Sequence, residues 1–300
     1  MSDGTFRVMR YTNYTTECTE DAYVEPEEEY DYGGGSYENW DPTPIITDCQ
    51  GTPDGTATWS NDCNTCIGGS TGITNCSEME AQFKNFDDNI EDSLTHKCLK
   101  TLLDSIKNLK SGRIAEIIYN FSRDIPNWHW KVKEGTISGL AHAVTKSPPL
   151  NGTITTTFDF NKLKGATNLA VVRTFMHEAV HAYLATYFYT DPVKFNLDYP
   201  EQLKWFYKTK NPDLNDNQHN LMIKRFVGDI GLALKQYGEQ IGLTIDSQIY
   251  MDLAWGGLDY INNTSLTDDE KERINNRIAA EQTNSLFADT SPSGLKLLCN

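Results

Sequence analysis

Two imidazoles and a carboxylate stand at a chemically useful spacing in Phe175-Met176-His177-Glu178-Ala179-Val180-His181. On a helix, residues four apart lie about one turn above each other, so His177 and His181 turn to the same side and make half of a zinc site. Glu178, beside the first of them, is placed to take a proton from a water that a metal acidifies. Between residues 167 and 188 there is no Pro or Gly, and Leu169, Val172, Met176, Ala179, Val180 and Tyr183 recur at helical spacing. The triplet is therefore expected on a buried helix. The alternative is a pair of core histidines packed along that helix.

A catalytic zinc takes three protein ligands and keeps a fourth position open. The expected third ligand is His219, in Gln218-His219-Asn220-Leu221-Met222. Asn215-Asp216-Asn217 offers a cap just before it, and Met222, Phe226, Ile230 and Leu234 continue at helical spacing, so His219 falls in a first helical turn. Glu201 and Asp229 are the alternatives.

The elements that must position these residues follow from periodicity. Residues 78–123 carry Phe83, Phe86, Ile90 and Leu94, then Cys98, Leu99, Leu102, Leu103 and Ile106, then Ile114, Ile117, Ile118 and Phe121, a pattern of two or three helices. Trp128-His129-Trp130 opens an alternating stretch, and strand-like runs follow at 137–145 and 153–160, the second rich in β-branched residues. Residues 189–218, with Pro192, Pro200 and Pro212, read as a long connection around a short helix. A helix over 219–237 comes next, and Thr267-Asp268-Asp269-Glu270 has the capping-box form that starts a last helix ending near 284. Among the other histidines, His129 is expected in packing between its tryptophans, His96 solvated on a polar helix face, and His142 as a minor candidate for the site. Tyr250, Trp255 and Tyr260 are expected in the core, with an oxyanion-stabilising tyrosine as the alternative.

Charge and cysteines divide the chain. The formal net charge is −16, of which −12 falls in residues 1–76. An acidic chain without a basic stripe argues against nucleic acid and against an anionic membrane surface as partners, and no apolar run is long enough to span a bilayer. Five of the seven cysteines (Cys18, Cys49, Cys63, Cys66 and Cys76) also lie in this front piece, which is too poor in aliphatic residues to fold on a core of its own. The expected organisation is an acidic flexible segment over 1–47, a small Cys-rich module over 48–76 stapled by disulfides, and an α+β domain over 77–300. A four-thiolate zinc site is the rival for the module, and Cys98 with Cys299 is a further candidate pair. No secretory signal opens the sequence, yet the cysteines point to an oxidising compartment; the expectation is the C-terminal part of a larger exported protein, secreted or extracellular.

The residues His177-Glu178-Ala179-Val180-His181-Ala182, Gln218-His219-Asn220-Leu221-Met222 and Leu253-Ala254-Trp255-Gly256-Gly257-Leu258 resemble zincin metallopeptidases, and within them metallopeptidase modules at the C-termini of secreted or polymorphic-toxin-type bacterial proteins. The resemblance spans roughly residues 78–300. It implies a mainly helical α+β domain with a small sheet, Zn2+ on His177, His181 and His219, Glu178 as catalytic base, and a protein or peptide substrate. In zincins an edge strand above the motif helix holds the substrate by main-chain hydrogen bonds, and the run 153–160 is the expected edge. Metzincins match less well, since Leu184 and Tyr187 stand where they carry glycine and the third histidine. SprT-like peptidases carry their later histidine nearer the first motif, and Glu201 lacks the thermolysin-like surroundings. A toxin or effector payload, with an immunity protein as partner, is one form of this expectation. A non-catalytic binding or adhesion module with a structural zinc is the alternative of a different class.

Overall fold

The computed structural model describes residues 55–60, 65–69, 74–109, 114–115, 117–118, 128–197, 199–210, 216–258, 260 and 262–297. The acidic segment 1–47 lies outside the described residues. Of the Cys-rich module, the structure describes a short antiparallel pair, β1 (Thr58–Ser60) with β2 (Thr65–Ile67), and the start of helix α1 (Cys76–Asp88). Cys18, Cys49, Cys63, Cys299 and the side chain of Cys66 lie outside the described residues, so the pairings expected for the module and for Cys98 with Cys299 lie outside them too.

Strands β3 (Ile90–Ser93), β4 (His129–Glu134), β5 (Ala143–Leu150) and β6 (Thr153–Phe158) form one sheet in the order β3-β4-β6-β5. The first, second and last run parallel, and β5 pairs antiparallel to β6. Helix α2 (Lys97–Lys107) follows β3 and buries Leu99, Leu102, Leu103 and Ile106. Period-two alternation sorts the sheet: Trp130, Val132, Ile154, Thr156 and Phe158 are buried, while His129 and Lys146 on the opposite face are exposed. Asn151 and Gly152, at φ 52° and 76°, make the two-residue β5–β6 turn, whose positive φ angles match the strand twist.

The remaining chain is helical: α3 (Phe160–Leu163), α4 (Asn168–Tyr187), α5 (Pro192–Phe195), α6 (Tyr199–Lys210), α7 (Asp216–Gln240), α8 (Ser247–Ala254) and α9 (Asp268–Thr283). The protein is thus α+β, with a small mixed sheet against many helices. No helix among the described residues is long and apolar enough to cross a membrane. Helix α4 is apolar around almost its whole circumference, which obliges it to be covered on all sides. Strands β5 and β6 and helices α2, α6, α7, α8 and α9 supply that cover. Its C-terminal half meets α6 through Tyr183, Tyr187 and Phe206, and its N-terminal turn meets α7 where the Asn168 amide donates to the Tyr237 hydroxyl.

The start of α4 is fixed by a buried carboxylate. Thr167 caps the helix by accepting from the Ala170 N–H. Glu281 of α9, with no exposed surface, accepts from the Thr167 hydroxyl at 2.7 Å, from the Ser293 and Gly294 N–H groups at 2.6 and 3.1 Å, and from Arg277 at 3.3 Å. The segment after α9 also exchanges hydrogen bonds with Asn168. Four donors converge on one side chain, so the helix that carries His177 has a set origin.

Several expectations need correction. Residues 90–93 form a strand and not part of a helix: Ile90 alone is apolar there, and pairing with β4 decides the conformation. The run expected over 137–145 becomes a strand only at Ala143 and continues to Leu150. The run 153–160 is not the edge: β6 lies between β4 and β5, and β5 is the edge strand. Pro148 and Pro149 give the physical reason, since residues without an N–H fit an edge strand with a register shift, as between Lys146 and Leu150. The stretch 189–218 is mostly helix, because Pro192 and Pro200 sit in the first turns of α5 and α6, where no N–H is needed. His96 is not merely solvated: it occupies the N-cap of α2, pairs with Glu134 and stacks on Phe160 at 3.5 Å.

Removing the Glu281 side chain strands its donors in the interior. Glu281→Ala is expected to cost about 3–5 kcal/mol in urea unfolding; a loss below about 1 kcal/mol would show that the start of α4 is held by other means.

Candidate functional site

Helix α4 carries all three residues of the expected triplet. His177 and Glu178 are 7% and 5% exposed, and His181, one turn on, is half-buried. Burial pushes the His177 imidazole well below its ordinary range, helped by the nearby charges of Arg173 and His181, and burial pushes His181 down to about 4. Both rings are therefore neutral at pH 7, the state in which an imidazole nitrogen offers its lone pair to a metal.

Glu178 is held from the sheet side. Its Oε2 accepts from the Thr145 hydroxyl of β5 at 2.7 Å. Thr145 in turn meets the Thr156 hydroxyl of β6 at 2.7 Å, and Thr156 accepts from the Trp130 indole N–H of β4 at 2.8 Å. With Glu178 ionised, Thr145 spends its one proton on Oε2 and so accepts from Thr156, and the chain runs from Trp130 to Thr156 to Thr145 to Glu178. Burial raises Glu178 to about 7, against the opposing pull of the Thr145 hydrogen bond and the Arg173 charge. A carboxyl with that value is poised to exchange protons near neutral pH.

Two further features acquire a place here: Arg173, which the spacing did not single out, and Gly256-Gly257, quoted above without a role. Arg173, one turn before His177, is 5% exposed, and burial lowers its guanidinium to about 10, so it stays charged at neutral pH. Above it runs the turn after α8. A Cβ on Gly256 would stand 2.7 Å from the Arg173 Cζ, and one on Gly257 would stand 2.7 Å from the His177 Nδ1. Gly257 also has φ +86°. These two glycines let the backbone close directly over the guanidinium and the first imidazole. The sequence signals were a lone arginine in an apolar run, four residues before His177, and a glycine pair after Trp255. His142, at the entry to β5, is half-buried; burial lowers it, followed by the charges of Arg173 and Lys162, with Asp159 opposing.

The other expected residues fall into place unevenly. His219 lies in the first turn of α7, as its spacing implied, and its side chain lies outside the described residues. Among the described residues no three His, Cys, Asp or Glu side chains gather closely enough to hold a metal. Glu201, exposed on α6, and Asp229, half-buried in α7, therefore do not complete a three-residue site with His177 and His181. His129 is exposed on β4. Tyr250 and Trp255 are core residues, and Tyr260 donates to Asn275 at 3.1 Å.

No protein-family model, curated protein or solved structure matches the chain. Its chemistry must therefore be argued from its own residues.

Two outcomes follow for metal-free protein. With a folded value near 7 against an ordinary 4.5, Glu178 holds a proton that the unfolded chain releases. Its ionisation therefore costs stability that is untouched below pH 4.5 and fully lost above 7. Glu178→Gln is expected to be more stable than wild type by up to about 3 kcal/mol at pH 8, with the gap closing below about 1 kcal/mol at pH 5 in urea unfolding. A gap independent of pH would mean that Glu178 is ionised throughout. For the glycine pair, Gly257→Ala is set against Gly242→Ala, where φ is +82° and nothing lies within 4 Å. Strain alone should cost about 1 kcal/mol at Gly242, and the His177 clash should bring the loss at Gly257 to about 2–4 kcal/mol. Equal losses would remove the clash from the argument.

Proposed function

We propose that the chain is a zinc-dependent peptidase of the zincin type, hydrolysing peptide bonds with Glu178 as the catalytic base. The observation that carries this reading is the buried carboxyl of Glu178, raised to about 7 and aimed by Thr145, beside two imidazoles held neutral on the same helix. A pair of ordinary core histidines would have no use for a strained acid between them.

Zinc suits the donor set in chemistry: two neutral imidazoles four residues apart, with His219 in the first turn of α7 as the third candidate. When bound, zinc polarises a scissile carbonyl and lowers the pKa of water. The rest belongs to the chain's own groups. Glu178, oriented by the Thr145 hydrogen bond, accepts the proton of the attacking water and passes it to the leaving amine. The burial that raises Glu178 keeps it basic enough for the first task and acidic enough for the second. Strand β5, as the sheet edge facing α4, offers main-chain donors and acceptors along which an extended peptide can lie. The prolines at 148 and 149 confine that edge to the half near Thr145. Secretion, and a toxin or effector role with an immunity protein, belong to the same proposal and rest on the cysteine distribution.

Elemental analysis on the full chain gives the first test. Wild type is expected to hold about one zinc, His181→Ala and His219→Ala to lose it, and Glu201→Ala to keep it. Glu178→Gln should keep the metal and lose turnover on a peptide library by about 100-fold or more. Wild type without zinc, or His181→Ala that keeps it, sinks the reading. Zinc held firmly with no turnover would leave the binding module with a structural metal.

A further inference from the structure

The Arg173 guanidinium is an anomaly that the peptidase reading leaves unused. A guanidinium has five N–H donors and does not lose its charge near neutral pH. Burying one without hydrogen bonds is among the costliest arrangements a fold can contain. Arg173 is 5% exposed, its Nε is buried without a partner, and among the described residues no hydrogen bond or ion pair joins its side chain to another. The opposite charge of Glu178 is close enough to be felt, but Glu178 spends Oε2 on Thr145 and makes no ion pair with it. The other ionisable neighbours, His177 on the same helix and His142 before β5, are both disfavoured in their charged forms by Arg173 and cannot serve as counter-ions. Gly256 seals one side of the guanidinium plane with bare backbone.

We propose that Arg173 is the receptor for a carboxylate of the substrate, so that the site prefers peptides presenting a carboxylate beside the scissile bond. This deepens the peptidase reading and rests on it for the word substrate. The chemistry is specific. A carboxylate matches the guanidinium fork with two parallel N–H···O bonds, and in a dry site that pairing outweighs what any neutral group can offer. Arg173 and His177 lie one turn apart on α4 under one glycine turn, so the carboxylate is bound next to the reacting carbonyl. Two sources share this chemistry: the free C-terminus of a peptide and the side chain of an Asp or Glu next to the cleaved bond.

The test separates this from the zinc reading by starting with metal-free full-length protein, prepared with phenanthroline because carboxylate chelators would compete. Thermal unfolding is followed with N-acetyl-dialanine, its C-terminal amide, and N-acetyl-alanyl-aspartate amide, in wild type and Arg173→Met. The expected result is a rise in wild-type Tm with one or both carboxylate probes and none with the neutral amide. Arg173→Met should lose that rise and melt higher than wild type without ligand, since an uncompensated charge has gone. The probe that works identifies the source. If the variant does not fold, the wild-type contrast between carboxylate and amide decides alone. Equal shifts with acid and amide, or a carboxylate shift that survives in Arg173→Met, overturn the proposal. On zinc-loaded enzyme, kcat/KM should favour the carboxylate substrate by about 10- to 100-fold, and Arg173→Met should erase the preference. Zinc-dependent cleavage without that preference defeats this inference and spares the peptidase; a carboxylate shift in protein that neither binds zinc nor cleaves does the reverse.

Discussion

The structure depends on one constraint: a helix buried on every side carries four strongly polar side chains in its middle. Arg173, His177, Glu178 and His181 sit within the apolar length of α4, where each would cost several kcal/mol if left to itself. The surroundings can be read as answers to that cost. Three strands contribute one residue each to the hydrogen-bond chain that ends on Glu178. The turn after α8 gives up two Cβ atoms to fit over Arg173 and His177. Helix α9 and the segment beyond it commit a buried carboxylate to the first turn, which fixes where along its axis α4 presents the other four. Packing against the sheet through Phe158 and Phe175, whose rings lie 4.4 Å apart, then sets its rotation.

Features written in local chemistry were legible in the sequence. Helix α4 starts after its capping threonine and ends at Tyr187, close to the apolar run that announced it. The Thr267–Glu270 capping box forms both its bonds, and β4 alternates as Trp128-His129-Trp130 suggested. What depended on partners far along the chain was not. Ile90-Glu91-Asp92-Ser93 has no strand pattern and becomes one beside β4. The order of β5 and β6 could have been inferred from Pro148 and Pro149, because only one of two neighbouring strands can lack donors. Pro192 and Pro200 read as breaks in the sequence and are helix starts in the structure.

The candidate site divides the same way. His177, Glu178 and His181 are neighbours by helix geometry alone, so spacing revealed them. Thr145 reaches Glu178 across 33 positions, and Gly256 and Gly257 cover α4 from farther still. No local pattern encodes such meetings. A sequence does carry a trace of them in residues that violate their surroundings: an arginine inside an apolar helix, or a glycine pair where packing would favour side chains.

Helix geometry also explains how opposite charges can share this interior without cancelling. At about 100° per residue, Arg173, His177 and His181 drift only about 40° per step and form one stripe, whereas Glu178 stands about 140° around the axis from Arg173. A carboxylate at position 177 or 169 would have met the guanidinium and closed it as a structural ion pair. Position 178 instead faces the sheet, where Thr145 holds it. The separation leaves Glu178 without a salt bridge that would depress it, and it leaves the guanidinium without a counter-ion among the described residues. Both groups are thereby kept in costly states, and the fold tolerates that cost because the helix bearing them is anchored at its start and packed along its length. Stability is thus given up at two positions on one helix, one a turn before His177 and the other between His177 and His181, and the packing of the rest of α4 carries that cost.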